Sequence, residues 1–186
     1  MAFTYIVLGI IALLILLLIS IFNKFAKNRN LVQDAWSNID VALKRRYDLI
    51  PNLVETVKGY AKHEKSTFEE VIQARNQAMQ VPQGDISGQI KAENQLQQTL
   101  RSIFALAEAY PDLKANENFK DLQDKLNIIE ENLERSRRYY NGTVRENNTY
   151  GETFPAVLFA SMLKYQSFDF FETDEASREN VKVDFS

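Results

Sequence analysis

The sequence predicts an all-α chain in which an N-terminal transmembrane helix continues into an elongated antiparallel four-helix bundle. Three observations predict it. Residues Ala2 to Phe22 carry no charged side chain and are mostly Ile, Leu, Val, Ala and Phe. The segments that follow repeat apolar residues at intervals of three and four, the period of a helix with one buried face. No segment sustains the two-residue alternation of a half-buried strand.

The apolar run comes first. At about 1.5 Å rise per residue it is long enough for a hydrocarbon core of roughly 30 Å. No Lys or Arg precedes it, and it ends in Ser20-Ile21-Phe22-Asn23-Lys24 without a small-residue cleavage pattern. It therefore reads as a retained anchor and not as a signal peptide. Basic residues gather on its C-terminal side, at Lys24, Lys27 and Arg29 and again at Lys44, Arg45 and Arg46. That bias predicts an exterior N-terminus and a cytoplasmic bundle. The remainder suffices for one compact domain. The expected division is an anchor over 1–23, a helical bundle over 24–164 and an acidic, aromatic-containing tail over 165–186.

Val32, Trp36, Ile39, Leu43, Tyr47 and Ile50 form one helical stripe, and no Gly or Pro interrupts Leu31 to Ile50. One rod from about Thr4 to Asp48 is expected. Pro51 should end or kink it, because proline has no N–H and disfavours helix at the residue before it. A second helix is expected from Pro51, with Val54, Val57, Ala61, Phe68, Val71, Ile72 and Ala78 on its stripe. Val81-Pro82-Gln83-Gly84-Asp85 is a turn by composition. A third helix runs from about Ser87 to Ala109, with Ile90, Leu96, Leu100, Ile103, Phe104 and Ala107 facing one way. Tyr110-Pro111-Asp112 breaks it. Asn116 or Asn118 suits the N-cap of a fourth helix. There Phe119, Leu122, Leu126, Ile129, Leu133, Ser136 and Tyr140 keep coiled-coil spacing, and the helix is expected to reach Asn148. Gly142 is a weak point within it. Phe154 to Ala160 is apolar but too short to span a membrane. Two readings of it stand, a helix capping the core and a segment lying on the membrane surface.

Composition removes several function classes. The chain has no cysteine, so disulfides, thiol catalysis and thiolate metal sites are absent. The formal net charge is −3, which gives no electrostatic footprint for nucleic acid. His63 is the sole histidine, and neither a di-iron Glu-x-x-His pair nor a zinc His-Glu-x-x-His motif can be assembled from it. No Gly-rich phosphate loop and no Gly-x-Ser-x-Gly elbow occurs. The expectation is a protein without enzymatic activity and without a cofactor.

The run Asp40-Val41-Ala42-Leu43-Lys44-Arg45-Arg46-Tyr47-Asp48-Leu49-Ile50-Pro51-Asn52-Leu53-Val54-Glu55-Thr56-Val57-Lys58-Gly59-Tyr60 resembles the signature of the LemA family of bacterial membrane proteins. Ala74-Arg75, Arg138-Tyr139-Tyr140-Asn141 and the ending from Phe171-Glu172 to Val183-Asp184-Phe185 agree with it. Tyr150-Gly151-Glu152-Thr153 departs from it, since a less interrupted helix is expected before Phe154-Pro155. The resemblance implies a single-pass protein with a short exterior N-terminus and an elongated antiparallel bundle. It names no reaction.

Candidate positions follow from charge and register. Lys24, Lys27 and Arg29 flank the anchor and suit anionic lipid. Trp36 is the large aromatic of the first stripe. Asp40, Arg45, Arg46 and Asp48 cluster around that stripe, with pairing inside the bundle or between subunits expected for the basic residues. Arg138 and Arg145, like Asn141 and Asn148, share a face of the fourth helix at seven-residue spacing, where a polar ladder fixes register or partner. Tyr139, Tyr140 and Tyr150 are expected inside the bundle. Two functions stand. One is a membrane-anchored scaffold or interaction protein that self-assembles, with the lipid bilayer, further copies and other membrane proteins as partners. The other is a receptor-like module binding a small amphipathic ligand or lipid between helices.

Overall fold

The computed structural model describes residues 1–82 and 84–171. The acidic tail beyond Phe171, including Glu172, Val183, Asp184 and Phe185, lies outside the described residues. Among the described residues six helices follow in order: α1 (Ala2–Lys58), α2 (Lys65–Gln80), α3 (Ile86–Ala109), α4 (Pro111–Ala115), α5 (Glu117–Glu152) and α6 (Val157–Ala160). No strand occurs among the described residues. The chain divides into two compact units, one of residues 1–39 and 136–170, the other of residues 40–135 with the C-terminal end. α1 and α5 each contribute to both.

In the first unit, every residue from Met1 to Ser20 is exposed, which leaves a bare apolar helix long enough to cross a membrane. Burial starts at Ile21 and continues at Phe25, Val32, Ala35 and Ile39, a stripe with helical spacing. Tyr140 and Val144 of α5 are buried on the other side of this unit's core. The Trp36 ring meets the Tyr140 ring edge-on at 5.4 Å between centroids. α5 reaches Glu152 without a break, so neither Gly142 nor Gly151 interrupts it. Gly151 is buried because the Tyr165 ring rests on it, leaving no room for a Cβ.

The second unit is the four-helix part. Ile50, Leu53 and Val57 of α1, Val71 and Ala74 of α2, Leu96 and Ile103 of α3, and Leu126, Ile129 and Leu133 of α5 form its core, closed by Leu113 of α4. The Asp85 side chain caps α3 by accepting from the Gly88 N–H at 2.8 Å. Asn116 caps α5, its Oδ1 accepting from the Phe119 N–H at 2.9 Å.

Pro51 does not end the first helix. α1 runs through it to Lys58, where the Tyr60 and Ala61 N–H groups both close on the Val57 carbonyl at 2.9 Å. The second helix starts at Lys65 and not at Pro51. Proline in a helix leaves the carbonyl four residues earlier without its donor, here that of Tyr47. The Arg75 side chain of α2 supplies one instead, Nε to the Tyr47 oxygen at 2.7 Å.

Candidate functional site

Two hydrogen-bonded polar clusters lie in the interior, one in each unit, apart from the buried Asn28 of α1. In the second unit, Arg46 and Tyr47 of α1 face Glu93 of α3. All three are buried. Arg46 Nη1 donates to Glu93 Oε2 at 3.0 Å, and its Nη2 lies 3.5 Å from Glu130 of α5. The Tyr47 hydroxyl donates to Glu93 Oε1 and accepts from Gln89 Nε2 at 2.9 Å. Gln89 also donates to the Ala78 carbonyl of α2 at 3.3 Å. With Arg75 on the Tyr47 carbonyl, all four long helices meet at Arg46 and Tyr47.

A lone buried carboxylate is costly, and pairing it with a guanidinium and a phenol offsets that cost. Burial first, and the Glu93 charge second, push the Tyr47 phenol far above its ordinary range. It therefore stays a donor. Both Glu93 oxygens are occupied, one by Arg46 and the other by Tyr47 and Gln89. The cluster turns its carboxylate, phenol and amide on one another, while the buried Arg46 Nε has no hydrogen-bond partner. No group of three or more His, Asp or Glu positioned to hold a metal occurs among the described residues.

The cluster of the first unit is a clamp on the chain's own backbone. Asn148 of α5 donates from Nδ2 to the Phe168 carbonyl at 2.9 Å and accepts the Phe168 N–H at 3.1 Å. The Tyr140 hydroxyl donates to the Asp169 carbonyl at 2.9 Å. Burial, with the Asp169 charge second, pushes Tyr140 up to about 12. Nearby, the Phe25 ring packs on Tyr150 and Tyr165, with centroids 4.9 and 5.3 Å away. Lys24 Nζ lies 2.5 Å from Glu146. Its hydrogen bond and charge hold the Glu146 carboxyl below the usual range.

The model of the LemA family matches residues 35–185. The chain belongs to the LemA family. A protein named Protein LemA from Metamycoplasma hominis is 24% identical over 159 residues, covering 86% of this chain and 72% of that protein. Of the residues on which the resemblance rested, Arg46, Tyr47 and Arg75 join in the polar cluster, Pro51 frees the carbonyl that Arg75 meets, and Tyr140 is the buried post of the clamp.

The other candidate positions of this LemA-family chain separate into two groups. Arg46 pairs inside the bundle, as one of the two pairing modes expected. Trp36 is half-buried against Tyr140, so the stripe from Val32 to Ile50 is covered by the chain itself. Asn148 holds the chain's own backbone, and Asn141 is half-buried. Asp40, Arg45 and Asp48 are exposed, as are Arg138 and Arg145 of α5. Lys27 and Arg29 are exposed, while Lys24 is engaged with Glu146. Tyr139 is 52% exposed, which corrects its expected place in the interior. A side chain one position from Tyr140 points about 100° away around the helix.

Glu93 and Gln89 were missed, and Glu130 reads from the sequence as an ordinary helix-surface carboxylate. A signal existed for the first. Glu93 stands in register with Leu96, Leu100 and Ile103, and Arg46 in register with Leu43, Ile50 and Leu53. Each is a charge on an apolar stripe, and the two are opposite in sign.

Proposed function

We propose that this chain is a membrane-tethered helical scaffold, non-enzymatic, whose bundle is cytoplasmic and which associates with further copies or other membrane proteins in the plane of a bacterial cell membrane. The observation that carries the reading is the bare apolar stretch of α1. Residues Ala2 to Ser20 are exposed and carry no charged side chain, and the same helix goes on to supply Arg46 and Tyr47 to a buried polar cluster. Long exposed apolar surface of this kind is stable only in lipid. Lys27 and Arg29, free of the ion pair that engages Lys24, give the basic flank that favours a cytoplasmic side. Tethering confines copies to two dimensions and raises their effective concentration, so weak lateral contacts suffice.

Two measurements test it. A reporter fused after Ser186 that is active only outside the cytoplasm stays silent; strong activity overturns the orientation. Full-length protein in mild detergent sediments as a discrete species larger than one chain. A monomer over a wide concentration range overturns the self-assembly.

A second reading, a receptor for a small amphipathic ligand, is favoured by one groove of about 610 Å3 in the second unit. Val54, Phe68 and Ile72 give it an apolar floor, and Lys58, Lys65 and Glu69 a charged rim. Lipid that copurifies with the full chain and is lost on Ile72→Glu is the outcome that selects it.

A further inference from the structure

The anchor is bare from Met1 to Ser20, yet Ile21 is only 4% exposed. What covers it is the segment after α5. Ala156 is buried in one cluster with Ile21 and Phe25, and Phe159, Ala160 and Leu163 pack against that cluster. Ile21 belongs to the apolar run, which ends at Phe22, ahead of the first charge at Lys24. A run from Ala2 to Phe22 rises about 31 Å, close to the roughly 30 Å hydrocarbon core, so its last turn lies at the edge of the apolar layer. Any segment seated on Ile21 lies at that depth too.

The outward face of the segment has the matching chemistry. Phe154 is 78% exposed, and Leu158 and Met162 nearly as much. From Thr153 to Leu163 there is no charged side chain. The charges resume at Lys164, which lines one groove with Arg29, Phe22 and Tyr165. The exposed Glu152 precedes the stretch, so the cations lie at its C-terminal end only. An apolar face with exposed cations at one end suits a segment lying in the membrane interface, with those cations at phosphate level.

We propose that residues 154–163 form a second membrane contact, a short interfacial wedge that enters the same leaflet beside the anchor's end, with Arg29 and Lys164 meeting anionic lipid phosphates. The occupant of this apolar face is the bilayer. Continuity argues for it, because the exposed side chains of Ile19 and Phe22 on the anchor lead directly to the cluster that the segment covers. The proposal rests on the anchor reading above.

The chain has no cysteine, so single labels can be placed without background. Leu158→Cys and, separately, Met162→Cys are labelled with a fluorophore on full-length protein in vesicles of phosphatidylethanolamine and phosphatidylglycerol. Both sites are exposed, so a label does not disturb the core. Leu13→Cys reports the anchor. Quenchers attached to lipid acyl chains are expected to quench the labels at 13, 158 and 162 at least twofold. A water-borne quencher is expected to act weakly on all three. Adding Arg29→Glu with Lys164→Glu is expected to reduce lipid quenching at 158 and leave it unchanged at 13. Quenching at 13 with water-accessible labels at 158 and 162 overturns the wedge and leaves the anchor standing. Labels at 158 and 162 shielded from both quenchers place a protein partner there and also overturn it. No lipid quenching at 13 overturns the anchor reading itself.

Discussion

Arg75 Nε lies 2.7 Å from the Tyr47 carbonyl oxygen, the one helical acceptor that Pro51 deprives of its donor. The guanidinium thus completes the ladder of α1 from a neighbouring helix. It also joins the backbone of Tyr47 to α2, while the hydroxyl of the same residue is held by Glu93 and Gln89 of α3. Tyr47 is fixed at both ends.

This relationship predicts a coupled pair. Arg75→Met removes a charge-assisted bond to a carbonyl and leaves that acceptor orphaned, at a cost of about 2 kcal/mol. Pro51→Ala restores a backbone N–H at position 51 and so provides Tyr47 with its own donor. In the Pro51→Ala background Arg75→Met should therefore cost at least about 1 kcal/mol less. Denaturant unfolding of the four chains measures the cycle. Additive losses would mean that Arg75 and Pro51 act independently.

The Arg46–Glu93 pair predicts a different asymmetry. Glu93→Gln leaves the Arg46 cation buried with only Glu130, 3.5 Å away and partly exposed, to balance it. Breaking one side of a buried ion pair costs about 3 kcal/mol or more. Replacing both partners, Arg46→Met with Glu93→Leu, should be milder than either single change. Thermal melts followed by circular dichroism decide it; a double variant worse than both singles would refute the reading.

These two cases also show how far the sequence could be read. The long apolar helix, the helical stripes and a cap at Asn116 or Asn118, of which Asn116 takes the role, were legible because each rests on neighbours within a turn or two. The continuation of α1 through Pro51 was not, because the group that makes it tolerable is Arg75, which only the folded bundle brings to Tyr47. Glu93 was hidden by its polar neighbours Lys91, Asn94 and Gln95, although its register with Leu96 and Leu100 marked it. The clamp of Asn148 was illegible for another reason. Its partner is the backbone of Phe168, which leaves no side-chain signature.

Alkaline pH should loosen the clamp. The folded chain holds Tyr140 up to about 12, above the ordinary phenol value of about 10. A pKa raised by folding gives stability that is fully present below the unfolded value and lost as pH rises through the folded one. Stability should therefore be flat up to about pH 10 and fall between about 10 and 12. Tyr140→Phe removes the hydroxyl that reaches Asp169 and should be less stable at neutral pH, with a shallower alkaline decline. Melting temperatures across this range for both chains provide the check; identical slopes would remove Tyr140 as a cause.

Two glycines of α5 should respond to the same substitution with opposite sign. A Cβ at Gly142 meets nothing within 4 Å, and the position is exposed in mid-helix. Gly142→Ala lowers the backbone entropy lost on folding and should stabilise by roughly 0.5–1 kcal/mol. At Gly151 a Cβ falls onto the Tyr165 ring. That ring cannot retreat freely, because it also packs on Phe25 and its hydroxyl lies 3.3 Å from the Asn147 carbonyl. Gly151→Ala gains the same entropy but displaces Tyr165, and overpacking of this kind costs about 1–3 kcal/mol. The net effect should be destabilising. The clamp would open with it, since Tyr165 leads directly to Phe168 on Asn148. Hydrogen exchange at the Phe168 N–H reads that opening separately from the global melt. It should quicken in Gly151→Ala and stay unchanged in Gly142→Ala. Tyr165→Leu, which removes the ring's far edge, should relieve much of the loss caused by Gly151→Ala. If Gly151→Ala instead melts as high as the parent with Phe168 still protected, the ring does not rest on Gly151 in solution.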